Sequence, residues 1–314
     1  MTQSYGTNDP QIKLIVLDID GTLLNSNLEL SERNEKALKA AIAEGAQVVL
    51  ATGKTRNAGV KLVERLELTT PGIYLQGLVI YEADGTISYQ QTLDEAVARQ
   101  VLTFGADRGF KFIAYSGTRM MLARRDQELI DGLTRYHEPP PEVVGPLVNL
   151  VGKVSLNKVM AIGEPRAITA LRWQLEAQLN GAARLMQAGI PSMLEILPPG
   201  ACKGTALRHL LKSMHIDKAQ VMAMGDAEND TEMLQLAGLG VAIGNADAAL
   251  KKVANHIAPT NDEDGVADSI ERFVIRRKLD VPVSAGVEKM IEPGDAPPVE
   301  PQSADVTVKS EEQR

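Results

Sequence analysis

Residues 12–22 read IKLIVLDIDGT, a short apolar run that ends in two aspartates, a glycine and a threonine. The run 12–17 carries a single charged side chain, which is typical of a strand buried on both faces of a parallel sheet. Ligands of such sheets bind beyond the carboxyl ends of the strands, where Asp18 and Asp20 follow. Residues two apart in an extended segment point to the same side, so we expect the two carboxylates to converge.

The pattern outward from this segment alternates between strand and helix. A helix over residues 31–45, a strand over 47–51 and a helix through residue 66 predict a doubly wound parallel sheet. Asp84-Gly85 then predicts a hairpin between residues 78–81 and 86–89. The strands predicted after it are 110–115, 158–162, 184–187 and 192–196, and the helices are 94–106 and 165–179. Hairpins mixed with helices predict an inserted α+β module.

The alternation of strand and helix returns at residue 203 and continues to residue 276. The helices predicted there are 203–214, 229–237, 246–253 and 265–276, and the strands are 220–224, 240–243 and 256–257. We therefore predict an α/β protein with a discontinuous doubly wound core at residues 12–80 and 197–276 and an insertion at 81–196. Residues 1–11 are predicted to be flexible, and the acidic, proline-containing residues 277–314 to be a disordered tail.

Composition narrows the classes of protein and partner. The chain has 314 residues and a net charge of −8, which argues against a nucleic-acid partner because such affinity rests on cationic contacts to phosphates. A single cysteine, Cys202, excludes an internal disulfide and a cysteine-based zinc site. The absence of a long apolar run or a leader pattern predicts no membrane partner and a cytoplasmic, reducing compartment. The composition does not determine the oligomeric state.

A second acidic segment, residues 225–230, reads GDAEND and follows another apolar strand. Asp226 is expected to face the first acid pair across the edge of the sheet. Clustered carboxylates are costly unless a cation neutralises them, and an all-oxygen site with few protein ligands suits Mg²⁺. Asn229 or Asp230 could instead cap the following helix, and both roles stay open.

Two smaller motifs predict a phosphate pocket. Thr52-Gly53-Lys54 ends the second strand, and a hydroxyl, backbone N–H groups and an ammonium there could hold a phosphate. Lys203 opens a helix, where a cation is unfavourable with the helix dipole, so a functional placement is one explanation. Taken singly, a capping threonine and an exposed lysine are the commoner interpretations.

The order of these motifs resembles that of the haloacid dehalogenase-like phosphatases of the Cof-type, type IIB subgroup, over about residues 12–275. This resemblance implies a Rossmann-like core with an inserted α/β cap and a Mg²⁺-dependent phosphatase that acts on a small phosphorylated metabolite. Residues 51–54, 76–78 and 261–267 look most like the related domain of plastid proteins that also carry an endoribonuclease domain. A plastid is therefore an alternative compartment.

The resemblance also implies a role for each matching residue. Asp18 resembles the nucleophile that becomes an aspartyl-phosphate, and Asp20 resembles the general acid and base. Thr52, Gly53 and Lys203 resemble groups that hold the phosphoryl group, and Asn229 and Asp230 resemble supporting positions of the fourth motif, with Asn229 near the phosphate. The implied Mg²⁺ ligands are the Asp18 carboxylate, the backbone carbonyl of Asp20 and the Asp226 carboxylate.

The chain departs from the family pattern at two positions. Lys54 stands where many relatives have arginine, so the charge is kept but the bidentate fork is lost. Gln76 stands where many Cof-type proteins have asparagine. Two alternative functions remain: a phosphomutase on the same scaffold, and a non-catalytic module that binds a phosphometabolite.

The insertion supplies the candidates for specificity. Tyr115, Arg119 and Arg124 could meet a polar or second anionic group of the substrate, although a solvated face is the commoner place for such arginines. Trp173 on the predicted helix 165–179 is expected to pack inside the module.

Overall fold

The computed structural model describes residues 11–187 and 192–275. The predicted disordered tail and nearly all of the predicted flexible start lie outside these residues. The strands are β1 Leu14–Leu17, β2 Gln47–Leu50, β3 Gly72–Tyr74, β4 Val79–Tyr81, β5 Ile87–Gln90, β6 Lys111–Ser116, β7 Arg119–Leu122, β8 Glu142–Val143, β9 Lys158–Ile162, β10 Arg184–Met186, β11 Met193–Leu197, β12 Val221–Gly225, β13 Leu239–Ala242 and β14 His256–Ile257. The helices are α1 Glu32–Ala43, α2 Arg56–Arg65, α3 Glu95–Ala106, α4 Gln127–Arg135, α5 Pro165–Leu179, α6 Lys203–Met214, α7 Thr231–Leu236, α8 Ala248–Val253 and α9 Gly265–Ile270.

A five-stranded parallel sheet, in the order β14-β13-β12-β1-β2, forms the core. Side chains of β1 alternate between its faces, as the two-residue period of a strand requires. Ile15 and Leu17 join the apolar cluster beneath α1 and α9, whereas Leu14 and Val16 join the cluster beneath α6 and α7. The sheet is thus covered by helices on both faces, and the predicted doubly wound α/β fold is confirmed.

A second sheet of six strands, in the order β10-β11-β9-β6-β7-β8, forms the cap. It is antiparallel except where β7 pairs with β8. The helices α3 and α5 cover one face through an apolar cluster that includes Val101 and Leu171. The opposite face contributes Tyr115 and Met160 to an apolar cluster that also contains Tyr74 of β3. The cap sheet therefore turns the face that carries Tyr115 and Met160 toward the core, and α4 packs on this same side through Leu133.

The predicted hairpin is present as β4 and β5, which pair antiparallel and extend β3 into a three-stranded sheet. The sequence pattern predicted neither α4 nor β7, the strand that carries Arg119. The packing predicted for Trp173 is wrong. Its side chain is 72% exposed, because α5 buries the face that carries Ile168, Leu171, Leu175 and Leu179. The predicted domain boundaries remain a prediction.

Candidate active site

The carboxyl ends of β1, β2 and β12 meet at one edge of the core sheet. β1 lies between the other two strands with parallel register, so the residues that follow the three strands become neighbours. Asp18 follows β1, Thr52 follows β2 by two positions, and Asp226 follows β12. Gly21 turns the chain with φ +78°, and a Cβ there would overlap the Asp226 carboxylate. This close approach requires the glycine of the DIDGT segment.

Lys203 contacts two of three neighbouring carboxylates. The three, Asp18, Asp226 and Asp230, form the acid cluster of the site. The Lys203 side chain is fully buried, and its Nζ donates to Asp18 Oδ1 at 2.5 Å and to Asp230 Oδ1 at 2.7 Å. Burial alone would lower the pKa of the ammonium, but Asp18 and Asp230 outweigh it and raise that pKa above its ordinary value. The interpretation of Lys203 as an exposed lysine is excluded, and a buried permanent cation is available at the end of β1.

Burial is also the largest influence on the pKa values of Asp18 and Asp226. It raises the pKa of Asp18 well above its ordinary value of 3.8, against the opposing charge of Lys203. The pKa of Asp226 rises to about 6, first because of burial and further because of Asp230, whereas Thr22 Oγ1 lowers it by donating to Asp226 Oδ1 at 2.7 Å. Three carboxylates are concentrated here, which is more negative charge than the single ammonium of Lys203 can neutralise.

The carboxylate oxygens of Asp18, Asp226 and Asp230 lie within 4.8 Å of one another. Asp230 is fully engaged, because Oδ1 accepts from Lys203 and Oδ2 accepts from the backbone N–H groups of Asp226 and Ala227. Among the described residues, no hydrogen bond reaches Oδ2 of Asp18 or of Asp226. These two free, hard oxygen donors fit Mg²⁺, which binds through one or two carboxylates and completes its shell with water and substrate. Asp230 instead supports the loop and the lysine.

The loop after β2 contributes a second cation. Thr52 is buried and accepts a hydrogen bond on Oγ1 from the backbone N–H of Lys54. The Lys54 Nζ donates to Asp20 Oδ1 at 2.7 Å, and only 9% of the lysine side chain is exposed. Lys54 therefore contacts the predicted general acid and base directly. The sequence motif did not reveal this pair, because it joins residues 34 positions apart.

Gln76 and Asn229 form another pair that sequence reasoning did not anticipate. Gln76 adopts a left-handed conformation with φ 64° and is buried against Gly53, where a Cβ would overlap its amide. Its Oε1 accepts from Asn229 Nδ2 at 2.9 Å, and Asn229 Oδ1 is buried with no partner in the described part of the chain. Both side chains line the cavity described next. The departure from the family pattern at position 76 thus lies at the site.

A cavity of about 830 Å³ opens between the acid cluster and the core-facing side of the cap, where α4 also contributes to its lining. Asp18, Asp20, Thr52, Gly53 and Asp226 line its core side. Tyr115, Lys158 and Glu195 line its cap side, together with Glu138. Of the three cap residues predicted from the sequence, the structure therefore brings only Tyr115 to the site.

Arg119 and Arg124 are not among the described residues that line the cavity. Arg119 is half exposed and forms a bidentate pair with Glu142 on the neighbouring strand β8, with N–O distances of 2.8 and 2.7 Å. Arg124 is exposed in the turn after β7. The structure thus does not bring these two arginines to the cavity, because β7, which carries Arg119, and the turn after it lie toward the edge of the cap sheet. Their role in specificity remains a prediction.

Two hydrogen-bonded contacts join cap and core beside the cavity. Glu138 accepts from the backbone N–H of Thr55 at 3.0 Å and from its hydroxyl at 2.5 Å. Lys158, on β9, donates to the backbone carbonyl of Gly53 at 3.1 Å and to Glu195 at 2.7 Å. The sequence did offer a sign of the Lys158–Glu195 pair, since both are charged residues within otherwise apolar strands.

The family model described as haloacid dehalogenase-like hydrolase matches residues 15–270. The chain belongs to this family. It is 29% identical over 285 residues to the phosphatase YwpJ of Bacillus subtilis, covering 84% of this chain and all of that protein. A crystal structure of a haloacid dehalogenase-like hydrolase from Bacteroides thetaiotaomicron is 30% identical, with a TM-score of 0.75 over 83% of this chain and 99% of that one. The predicted Cof-type resemblance is confirmed, and the chain is a phosphatase.

A third relative is the chloroplastic endoribonuclease YBEY of Arabidopsis thaliana, which is 38% identical over 275 residues. The match covers 84% of this chain but 47% of the plant protein, so the chain spans about half the length of that relative. This bears out the predicted likeness to a domain of a plastid protein. Within residues 11–187 and 192–275, no helix is long and apolar enough to cross a bilayer.

Proposed function

We propose that the chain is a Mg²⁺-dependent phosphomonoesterase that hydrolyses a small phosphorylated metabolite through an aspartyl-phosphate on Asp18. The observation that carries this proposal is the position of Asp18. It directly follows the buried strand β1, lies 2.5 Å from the ammonium of Lys203, and lines a cavity of about 830 Å³ together with Asp20 and Thr52. That volume lies within the range of small-molecule sites, roughly 300–1,000 Å³.

In the first step, an Asp18 carboxylate oxygen forms a bond to phosphorus while the bond from phosphorus to the ester oxygen breaks. A protonated Asp20 gives its proton to that leaving oxygen. Lys203 stabilises charge on the phosphoryl oxygens, and Thr52 offers its hydroxyl and Gly53 its backbone N–H to the same oxygens. Lys54 holds the Asp20 side chain through the 2.7 Å hydrogen bond from Nζ to Oδ1, which leaves Oδ2 to carry the proton.

In the second step, a water oxygen forms a bond to phosphorus and the bond to Asp18 breaks, which releases inorganic phosphate. The Asp20 carboxylate takes a proton from that water, so both aspartates return to their starting states. When bound between Asp18, the backbone carbonyl of Asp20 and Asp226, Mg²⁺ would shield the repulsion between the nucleophile and the phosphate dianion. Asn229 and Asp230 would support this arrangement through Gln76 and Lys203.

We further propose a reducing compartment for the protein, which the single cysteine supports. The name of the Arabidopsis relative supports a plastid as the alternative to the cytoplasm. Imaging of the full chain fused at its C-terminus to a fluorescent protein distinguishes the two compartments.

The decisive experiment measures phosphate release from p-nitrophenyl phosphate and from a panel of sugar phosphates, nucleotides and phosphorylated cofactors. Each reaction is run with Mg²⁺ and with EDTA. We expect Mg²⁺-dependent turnover that is lost in Asp18→Asn and retained in Asp107→Asn, a matched change at an exposed aspartate after α3. Wild-type turnover by Asp18→Asn would refute the aspartyl-phosphate. No turnover by folded wild-type protein would instead favour the non-catalytic module.

A further inference from the structure

The cap side of the cavity is strongly acidic. Five acids of the cap line it: Asp126, Glu128, Glu138, Glu164 and Glu195. We propose that this wall selects phosphomonoesters whose leaving group is uncharged or cationic and carries hydrogen-bond donors, and that it rejects a second anionic group. The inference rests on the proposed function, and it replaces the expectation that arginines of the cap meet a second anion.

The two lysines on this wall are already neutralised. Lys111 Nζ lies 2.5 Å from Asp126 Oδ2, and Lys158 Nζ lies 2.7 Å from Glu195 Oε1. Neither lysine therefore has its charge free for an incoming anion. Lys158 is also buried and has a further bond to the Gly53 carbonyl, which holds its ammonium in place.

The other three acids have no cationic partner within the part of the chain that the structure describes. Glu138 is buried and accepts only the neutral donors of Thr55. Glu128 and Glu164 are exposed at the rim. The wall thus keeps about three uncompensated negative charges facing the substrate. A like charge brought close to them in a partly buried cavity is destabilised, whereas a cation or neutral donor is not.

A second, independent observation is that Glu195 has a buried carboxylate oxygen with no hydrogen-bond donor among the described residues. Its side chain is almost wholly buried, with 7% of the residue exposed, and it lines the cavity. Oε1 accepts from Lys158, but Oε2 is buried with no hydrogen-bond partner among the described residues. A buried acceptor without a donor is costly, so a hydroxyl or N–H group of a bound ligand would be stabilised there.

The opposite end of the cavity is where the phosphoryl group binds in the proposed mechanism. Lys54 lines this end, Lys203 lies beside Asp18, and Mg²⁺ held by the aspartates would supply the positive charge that the two paired lysines do not. A substrate with one anionic end and one donor-rich end matches both walls in one orientation only. The charge distribution thus orients the phosphate toward Asp18 and selects the leaving group.

The test uses three phosphorylated six-carbon compounds of similar size that differ in charge away from the phosphate: glucosamine 6-phosphate, glucose 6-phosphate and the open-chain sugar acid 6-phosphogluconate. Each is measured as a competitive inhibitor of p-nitrophenyl phosphate hydrolysis at one ionic strength, so a constant is obtained whether or not it is hydrolysed. We expect 6-phosphogluconate to bind at least about tenfold more weakly than the other two, with the gap narrowing at high salt. Equal or undetectable competition by all three, or tighter binding of 6-phosphogluconate, would overturn the proposal.

Two variants locate the effect. Glu128→Gln combined with Glu164→Gln removes two exposed rim charges without touching the acid cluster, and we expect it to reduce the discrimination about threefold. Glu29→Gln, an exposed change outside the cavity lining, should leave the discrimination unchanged. Equal discrimination in the double variant and the control would remove the wall as its cause.

The outcomes separate the two proposals. If p-nitrophenyl phosphate is hydrolysed in a Mg²⁺-dependent way but the three compounds inhibit equally, the inference is refuted and the phosphatase mechanism stands. If hydrolysis is absent, calorimetric titration of the same three compounds into the wild-type protein still measures the discrimination, and equal affinities again overturn the inference.

Discussion

Replacing Asp226 with asparagine should stabilise the metal-free protein. Burial raises the pKa of Asp226 from its ordinary 3.8 to about 6, and Asp230 and Asp20 add to this against the effects of Thr22 and Lys203. An acid whose folded-state pKa lies above its unfolded value destabilises the fold when ionised. This destabilisation is complete above pH 6 and is lost as the pH falls through 6 toward 3.8.

The magnitude follows from the pKa. At about 1.36 kcal/mol for each pKa unit, the elevation corresponds to about 3 kcal/mol near pH 7.5. Roughly half of this remains near pH 5, where the folded-state carboxyl is mostly protonated and the unfolded one is still ionised. Asparagine keeps an oxygen that accepts from Thr22 Oγ1, so Asp226→Asn removes the charge without removing that hydrogen bond. The expected gain in unfolding free energy is therefore about 3 kcal/mol near pH 7.5 and about 1.5 kcal/mol near pH 5.

Urea unfolding in EDTA, followed by far-UV circular dichroism at both pH values, measures this gain. The control is Asp107→Asn, which should change the free energy by less than about 0.5 kcal/mol. A second readout uses added Mg²⁺, which should raise the melting temperature of the wild type by binding the folded state but not that of Asp226→Asn. Unchanged or lower stability of Asp226→Asn, or an equal gain at both pH values, would refute the electrostatic reasoning.

Three further predictions concern burial and backbone conformation. Lys203→Met should lower the unfolding free energy by about 3–5 kcal/mol in a urea titration, because it leaves two buried carboxylates without their cation; a change below 1 kcal/mol would contradict the buried network. On α5, Leu171→Ala should cost about 2–5 kcal/mol, whereas Trp173→Ser should cost less than about 0.5 kcal/mol, since only the leucine is buried; equal costs would reverse the assigned face of the helix. Gly77→Ala should destabilise the protein more than Gly45→Ala, because both glycines have positive φ but only at Gly77 would a Cβ overlap backbone. Similar melting temperatures for the two variants would show that the overlap relaxes.

Sequence alone determined those features that depend on local pattern. The apolar runs before Asp18 and Asp226 predicted two strands of the core, because the side chains of a strand buried on both faces must be apolar along its whole length. The helices at residues 165–179 and 203–214 match α5 and α6 because their start signals are local. Parallel neighbouring strands then bring their carboxyl ends together, so the meeting of Asp18 and Asp226 followed without coordinates.

Only the tertiary structure decided which side chains face one another across large separations in sequence. The pairing of Lys54 with Asp20, and of Lys158 with Glu195, depends on strand adjacency within two sheets and on the way the cap docks. The sequence made Arg119 one candidate for specificity, but its strand lies toward the sheet edge and the neighbouring Glu142 pairs with it. A motif fixes the chemistry available at one strand end, whereas packing between distant segments determines the charge and shape of the wall opposite.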